Sequence, residues 1–124
     1  MSDDDGKTGF LAKVIGPKKR WRAYKARVKE LPAGYRAAAE TLEKALMYFV
    51  PNDGESSVAL FEDLADLFEQ GVANGTSIRD LVGDDPVAFV KDFAEPYTDG
   101  GYLPARVRKR LTDDIARLAD ETPA

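Results

Sequence analysis

The chain has 124 residues, of which 44% are hydrophobic and 32% are charged, and its formal net charge at pH 7 is −4. It contains no histidine and no cysteine, which excludes zinc sites built on those ligands and nucleophiles that a histidine activates. No apolar run approaches the ~20 residues that span a bilayer, and the acidic N-terminus lacks the apolar core of a signal peptide. These features predict a single cytoplasmic globular domain.

Apolar residues recur at helical spacing along almost the whole chain, and no segment alternates as a strand does. The pattern predicts an all-α fold, a single compact domain of six or seven helices over residues 8–119, with frayed termini at residues 1–7 and 120–124. The predicted helices, in chain order, are Thr8–Ile15, Pro17–Leu31, Tyr35–Phe49, a helix that ends near Ala73, Ser77–Val82, a helix that begins at Pro86, and Pro104–Ala119.

Glycine, proline and short polar side chains set the predicted helix ends. Gly16 and Pro17 are expected to separate the first two helices, because a proline removes one helical hydrogen bond and suits the first turn of a new helix. Asparagine, serine and aspartate cap helix starts, whereas glycine tolerates the left-handed backbone that ends a helix. The remaining candidates for these roles are Asn52, Ser56, Ser57, Gly75, Gly83, Asp84 and Asp85.

Charge is segregated along the chain. Residues 7–29 contain nine Lys and Arg and no acidic residue, whereas residues 53–99 contain twelve Asp and Glu against two basic residues. A stretch of one sign is where phosphates, anionic lipids or an acidic protein can dock. Two alternatives stay open: the cations form a solvated helix flank, or they pair with the acidic half of the same chain.

On a helical wheel the basic stretch becomes a stripe beside the aromatic face of the second helix. Its members lie within about 60° of arc at 100° per residue, and they are Lys18, Arg22, Lys25 and Lys29. We interpret these cations as candidate partner-binding residues, with Tyr24 at the edge of the surface and Trp21 mainly in the core. A protein partner is favoured over nucleic acid, because the acidic total charge opposes sequence-independent binding to DNA.

An enzymatic alternative uses carboxylates alone. Glu40 and Glu43 on the third helix and Asp63 and Asp66 on the fourth form an E-x-x-E and D-x-x-D pair. The arrangement is similar to the magnesium-binding carboxylates of all-α nucleoside triphosphate pyrophosphatases. The wheel turns all four away from the apolar stripes and towards water, so we predict a protein that is not an enzyme and has no cofactor.

Two large side chains of the third helix are further candidates for a contact surface. Met47 and Tyr48 lie on the side of the helix away from its apolar stripe. If they are exposed, they suit a protein contact better than any carboxylate does, because exposed apolar and aromatic side chains mark interfaces. A chain of this size is also compatible with a homodimer.

Three segments in order carry a resemblance that covers roughly residues 10–118. They are residues 14–21 (VIGPKKRW), residues 63–71 (DLADLFEQG) and residues 111–115 (LTDDI). Together they resemble the small bacterial helical family catalogued as domain of unknown function 1048. The resemblance implies a compact cytoplasmic helical fold. Because members often sit beside PadR-type regulators, it also implies a regulatory accessory that binds such a regulator.

Overall fold

The computed structural model describes the backbone of residues 2–50, 54–98 and 101–123, and the side chains of these residues from Gly16 onward. The described residues contain helices and no strand, which confirms the predicted all-α class and the single compact domain. No helix in these ranges is both long and apolar enough to cross a membrane. The α-helices are α1 (Ser2–Lys29), α2 (Ala33–Leu46), α3 (Gly54–Asn74), α4 (Ile78–Val82), α5 (Pro86–Ala94) and α6 (Ala105–Glu121).

The first two predicted helices are one helix in the structure. α1 runs without a break through Gly16 and Pro17, so the predicted boundary there is wrong. Proline disfavours a helical residue before it partly because its ring meets the Cβ of that residue. Gly16 has no Cβ, and this part of the clash is therefore absent. The costs that remain include the helical hydrogen bond that Pro17 cannot donate and the contact of its ring with the carbonyl four residues earlier.

The later helix ends follow the predicted local chemistry. Ser77 caps α4 by accepting a hydrogen bond from the Asp80 N–H at 3.1 Å, and Asp85 caps α5 by accepting from the Ala88 N–H at 3.1 Å. Gly75 ends α3 with a φ of 71°, a left-handed conformation that residues with a Cβ rarely adopt. The predicted roles of Asp85 and Gly75 are confirmed, whereas Ser77, predicted as the first residue of its helix, instead caps it.

The start of α3 differs from the prediction. This helix already begins at Gly54, so Ser56 and Ser57 lie inside its first turns and are not its caps. The third candidate, Asn52, lies outside the described residues. At the end of α2, regular α-helix stops at Leu46 and a 3₁₀ turn, Met47–Phe49, continues the predicted helix.

α2 is the central helix of the domain, and it packs against α1, α3, α5 and α6. An aromatic cluster joins α1 to α3: the ring centroids of Trp21 and Phe61 are 5.2 Å apart in an edge-to-face arrangement, and those of Tyr24 and Phe61 are 5.6 Å apart. Such pairs stabilise a core beyond the area they bury, by roughly 0.5–1.5 kcal/mol each. This packing fixes which side of α1 faces the solvent.

Candidate interaction surface

Tyr24, Lys25 and Glu43 form a polar cluster between α1 and α2. The Tyr24 hydroxyl donates to Glu43 Oε1 at 2.8 Å, and Lys25 Nζ donates to Glu43 Oε2 at 2.9 Å. Tyr24 is fully buried and Glu43 is 8% exposed. Burial, reinforced by the charge of Glu43, raises the pKa of the Tyr24 hydroxyl far above its usual value, which keeps it protonated as a donor. Tyr24 is therefore a core residue and leaves the predicted partner-binding surface, and Lys25 has an internal partner.

Two further cations of α1 pair with acidic side chains of α3. Arg20 binds Glu62 with both prongs of its guanidinium, Nε to Oε2 at 3.1 Å and Nη2 to Oε1 at 2.5 Å. Arg27 donates to Glu69 from Nε at 3.0 Å and from Nη2 at 2.6 Å, and it also binds Asp66. The hydrogen bond from Arg27 lowers the pKa of Glu69. For Arg20 and Arg27, pairing with the chain's own acidic half is therefore the observed arrangement.

Four cations of α1 stay exposed without an ion-pair partner in the described ranges, and these are Lys18, Lys19, Arg22 and Lys29. Lys18 and Arg22 line a groove of about 330 Å³ between α1 and the start of α3. The apolar walls of this groove, which we call the α1 groove, are formed by Pro17, Trp21 and Val58. Of the predicted partner-binding residues, the structure brings Lys18 and Arg22 together here.

The four carboxylates of the magnesium alternative have separate environments. Glu43 is buried against α1, Asp66 binds Arg27, Asp63 is exposed and Glu40 is partly buried. No group of three or more acidic side chains suited to a metal ion occurs among the residues that the structure describes. The prediction that all four face water is wrong for Glu43, because α1 covers the flank of α2 that carries it.

Three large hydrophobic side chains are exposed in the described part of the chain: Met47 at 45%, Tyr48 at 46% and Tyr102 at 72%. The backbone brings their segments together, since a Cβ on Gly101 would lie 2.9 Å from the Tyr48 carbonyl oxygen. The exposure that makes Met47 and Tyr48 candidates for a contact surface is thus present. Tyr102 was not among the predicted contact residues, because a tyrosine in a loop has no helical periodicity to reveal its exposure.

A second groove, which we call the basic groove, lies between α2 and α6. It has a volume of about 460 Å³, and Lys44 and Arg110 stand beside the apolar groups of Tyr48 and Val107. An adjoining cavity of about 210 Å³ adds Arg106. The cations of α6 were not among the predicted binding residues, although the sequence places four cations in the five residues 106–110 (RVRKR).

A third groove has the opposite charge, and we call it the acidic groove. It lies along α5, has a volume of about 530 Å³ and is lined by Phe89, Phe93, Asp85 and Asp92 among others. The two phenylalanine rings stack with their centroids 5.4 Å apart and are only partly buried. The acidic half of the chain therefore presents aromatic surface together with charge.

The chain matches the family described as "Protein of unknown function (DUF1048)" over residues 12–120. No curated protein and no solved structure matches it significantly.

Proposed function

This chain belongs to the DUF1048 family, a family of unknown function, and from that premise we propose that it is a non-catalytic protein-interaction module. Its partner is an acidic protein that docks on the α1 groove, and its place of action is the cytoplasm. The observation that carries this proposal is the division of the α1 cations. Arg20, Lys25 and Arg27 are used to hold the fold together, whereas Lys18 and Arg22 beside the α1 groove have no ion-pair partner among the described residues.

The α1 groove combines two features of protein-binding sites. Trp21 and Pro17 supply apolar surface, and Lys18 and Arg22 supply positive charge at its rim. Tryptophan and arginine are enriched among the residues that dominate binding energy, and rim charges set the rate and the specificity of association. An acidic segment with one apolar or aromatic side chain fits both features.

A protein partner accounts for this surface better than nucleic acid does. Internal pairing removes three of the cations that a phosphate backbone would need, and the net charge of the chain is −4. Affinity for a nucleic acid grows with the number of phosphates that cations neutralise. The α1 groove is a small positively charged site on a protein of negative net charge. Such a site instead favours a local contact with a cluster of acidic side chains.

The finer proposal is that the partner is a transcription regulator of the PadR type, with this chain as its accessory. What supports it is the resemblance of the sequence to a family whose members are often encoded beside such regulators. An acidic surface on the regulator would meet Lys18 and Arg22. This finer proposal stands or falls separately from the α1 groove itself.

The direct test is isothermal titration calorimetry between the purified protein and a PadR-type regulator encoded beside it. We expect Lys18→Glu with Arg22→Glu to weaken binding by about tenfold or more, because each reversed charge in a contact costs about 1 kcal/mol or more. The control variant, Arg36→Glu with Arg108→Glu, changes the net charge equally at exposed positions outside α1. Equal affinities of both variants, with circular dichroism unchanged, would contradict the α1 groove as the docking site.

A further inference from the structure

The described surface carries two grooves of opposite charge, and we propose that the basic groove of one copy of this chain binds the acidic groove of a second copy. The inference goes beyond the proposed function, because neither groove contains a residue of α1. It is argued from the unpaired charges, from the exposed aromatic side chains, and from the fit of the two grooves to each other.

The cations of the basic groove make no ion pair within the described part of the chain. Lys44, Arg106 and Arg110 are exposed and have no ion-pair partner among the described residues. The one acidic side chain that lines this groove, Asp114, lies 3.9 Å from Arg117, which offsets its charge. Tyr48 then provides an exposed aromatic wall beside a net positive rim.

The acidic groove is the counterpart in both charge and apolar content. Asp92 is exposed without an ion-pair partner in the described ranges, and Glu95, three residues later on the same side of the chain, is in the same state. Lys91 is the only cation of α5, so the rim stays negative. Phe89 and Phe93 form the partly exposed aromatic wall of this groove.

The two grooves are complementary to each other in both apolar surface and charge. Aromatic walls that meet bury apolar area, and rims of opposite sign replace the water that each charge loses. Elsewhere the chain uses the same chemistry internally, since Arg20 and Arg27 pair with acids of α3. The two grooves carry part of the charge that remains once those internal pairs are made. Every copy of the chain carries both grooves, so a second copy always offers the complementary one.

The contact is between different surfaces, so each copy has one groove of each kind to offer. Such a heterologous contact closes into a symmetric pair when both grooves of one copy reach the partner, and it otherwise continues into longer assemblies. Its strength depends on salt, because rim charges are screened. We expect reversible association that is strong at low salt and weak at high salt.

The test is sedimentation velocity of the full chain over a concentration series, at about 0.01 M and about 1 M salt, where the screening length changes from ~30 to ~3 Å. We expect association at low salt that weakens at least tenfold at high salt. A wild-type chain that stays monomeric at low salt up to about millimolar concentration, the range of very weak complexes, would overturn the proposal.

Two charge-reversal variants make the test specific. Arg106→Glu with Arg110→Glu reverses the basic groove, and Asp92→Lys with Glu95→Lys reverses the acidic groove without touching the Asp85 cap. We expect each variant alone to be monomeric and to keep its far-UV circular dichroism. An equimolar mixture of the two should associate again, because both contacts between them have opposite signs.

The control variant has the same change of net charge as the variant that reverses the basic groove, but at positions outside that groove. Arg36→Glu with Arg108→Glu should associate as the wild type does, since neither residue lines the basic groove. Association that survives in either groove variant alone, or a mixture that stays monomeric, would assign any self-contact to another surface and overturn the proposal. None of these variants changes a residue of the α1 groove. The outcome for self-association is therefore independent of whether a partner binds at the α1 groove.

Discussion

The buried hydrogen bond between Tyr24 and Glu43 offers a direct measure of how α1 is held on α2. Replacing Tyr24 with phenylalanine removes one oxygen atom and leaves the ring packed as before. The hydroxyl donates to Glu43 Oε1 at 2.8 Å, and Glu43 is only 8% exposed, so little water can replace the lost donor. The substitution therefore tests the hydrogen bond with little change in packing.

The magnitude follows from the other partner of the carboxylate. A hydrogen bond to a charged group contributes about 1.5–3 kcal/mol. Lys25 Nζ still donates to Glu43 at 2.9 and 3.2 Å, so the loss for Tyr24→Phe lies at the lower end, about 1.5 kcal/mol. With an unfolding entropy of about 2.1 cal/mol/K per residue and 124 residues, the expected decrease in Tm is about 6 °C.

The assay is thermal and urea unfolding followed by far-UV circular dichroism, with Tyr35→Phe as the matched control. The Tyr35 hydroxyl donates to a neutral carbonyl, that of Thr76 at 2.7 Å, so its removal should cost less, about 1 kcal/mol. In a Lys25→Met background Tyr24→Phe should cost more than in the wild type, about 3 kcal/mol, because Glu43 then keeps no partner.

Two outcomes would refute this reasoning. A Tyr24→Phe effect no larger than that of Tyr35→Phe would mean that the carboxylate of Glu43 is not a desolvated charge in the folded protein. Additive effects of Tyr24→Phe and Lys25→Met would mean that the two donors do not share one acceptor. Either result would remove the physical basis for treating Lys25 as an internal residue.

Three further substitutions test the helix end and the acidic side chains of α3. Gly75→Ala should lower the free energy of unfolding by about 1 kcal/mol in urea titrations, because φ is 71° there, and a neutral effect would contradict a left-handed stop. Glu69→Gln should destabilise the fold by roughly 0.5 kcal/mol at neutral pH. Because Arg27 lowers the pKa of Glu69, the stability from this ion pair is present above the unfolded-state pKa and is lost as pH falls through the folded-state pKa. An equal cost of the substitution in acid would contradict the ion pair. Asp63→Asn should stabilise by a few tenths of a kcal/mol at neutral pH. Partial desolvation of this largely exposed carboxyl, together with the charges of Asp66 and Glu62, raises the pKa of Asp63 and so disfavours its ionised form. A gain that persists well below the unfolded-state pKa would contradict this cause.

Features that depend on a few neighbouring residues could be predicted from the sequence. Asp85 caps α5 because its side-chain oxygen reaches an N–H three residues away, and Gly75 ends α3 because of its own backbone freedom. The boundary at Pro17 and the start of α3 are exceptions. A proline disturbs a helix less when the preceding residue has no Cβ, and Gly16 meets that condition.

Burial of polar groups could not be predicted with the same success. A helical wheel assumes one covered face, but α2 is surrounded by α1, α3, α5 and α6, so the flank that carries Glu43 is covered as well. The basic groove likewise joins residues 44–48 to residues 106–110, which only the packing of α2 on α6 brings together. Sequence distance concealed both features.

The sequence by itself determined the helical class, most helix ends and the segregation of positive from negative charge, because periodicity and capping act over one or two turns of chain. Only the tertiary structure decided what each charge does. Arg20, Lys25 and Arg27 pair across helix contacts, whereas Lys18 and Arg22 remain at the rim of the α1 groove. The physical reason is that an ion pair needs two side chains within about 4 Å, and which helices approach so closely is set by the packing of the whole core.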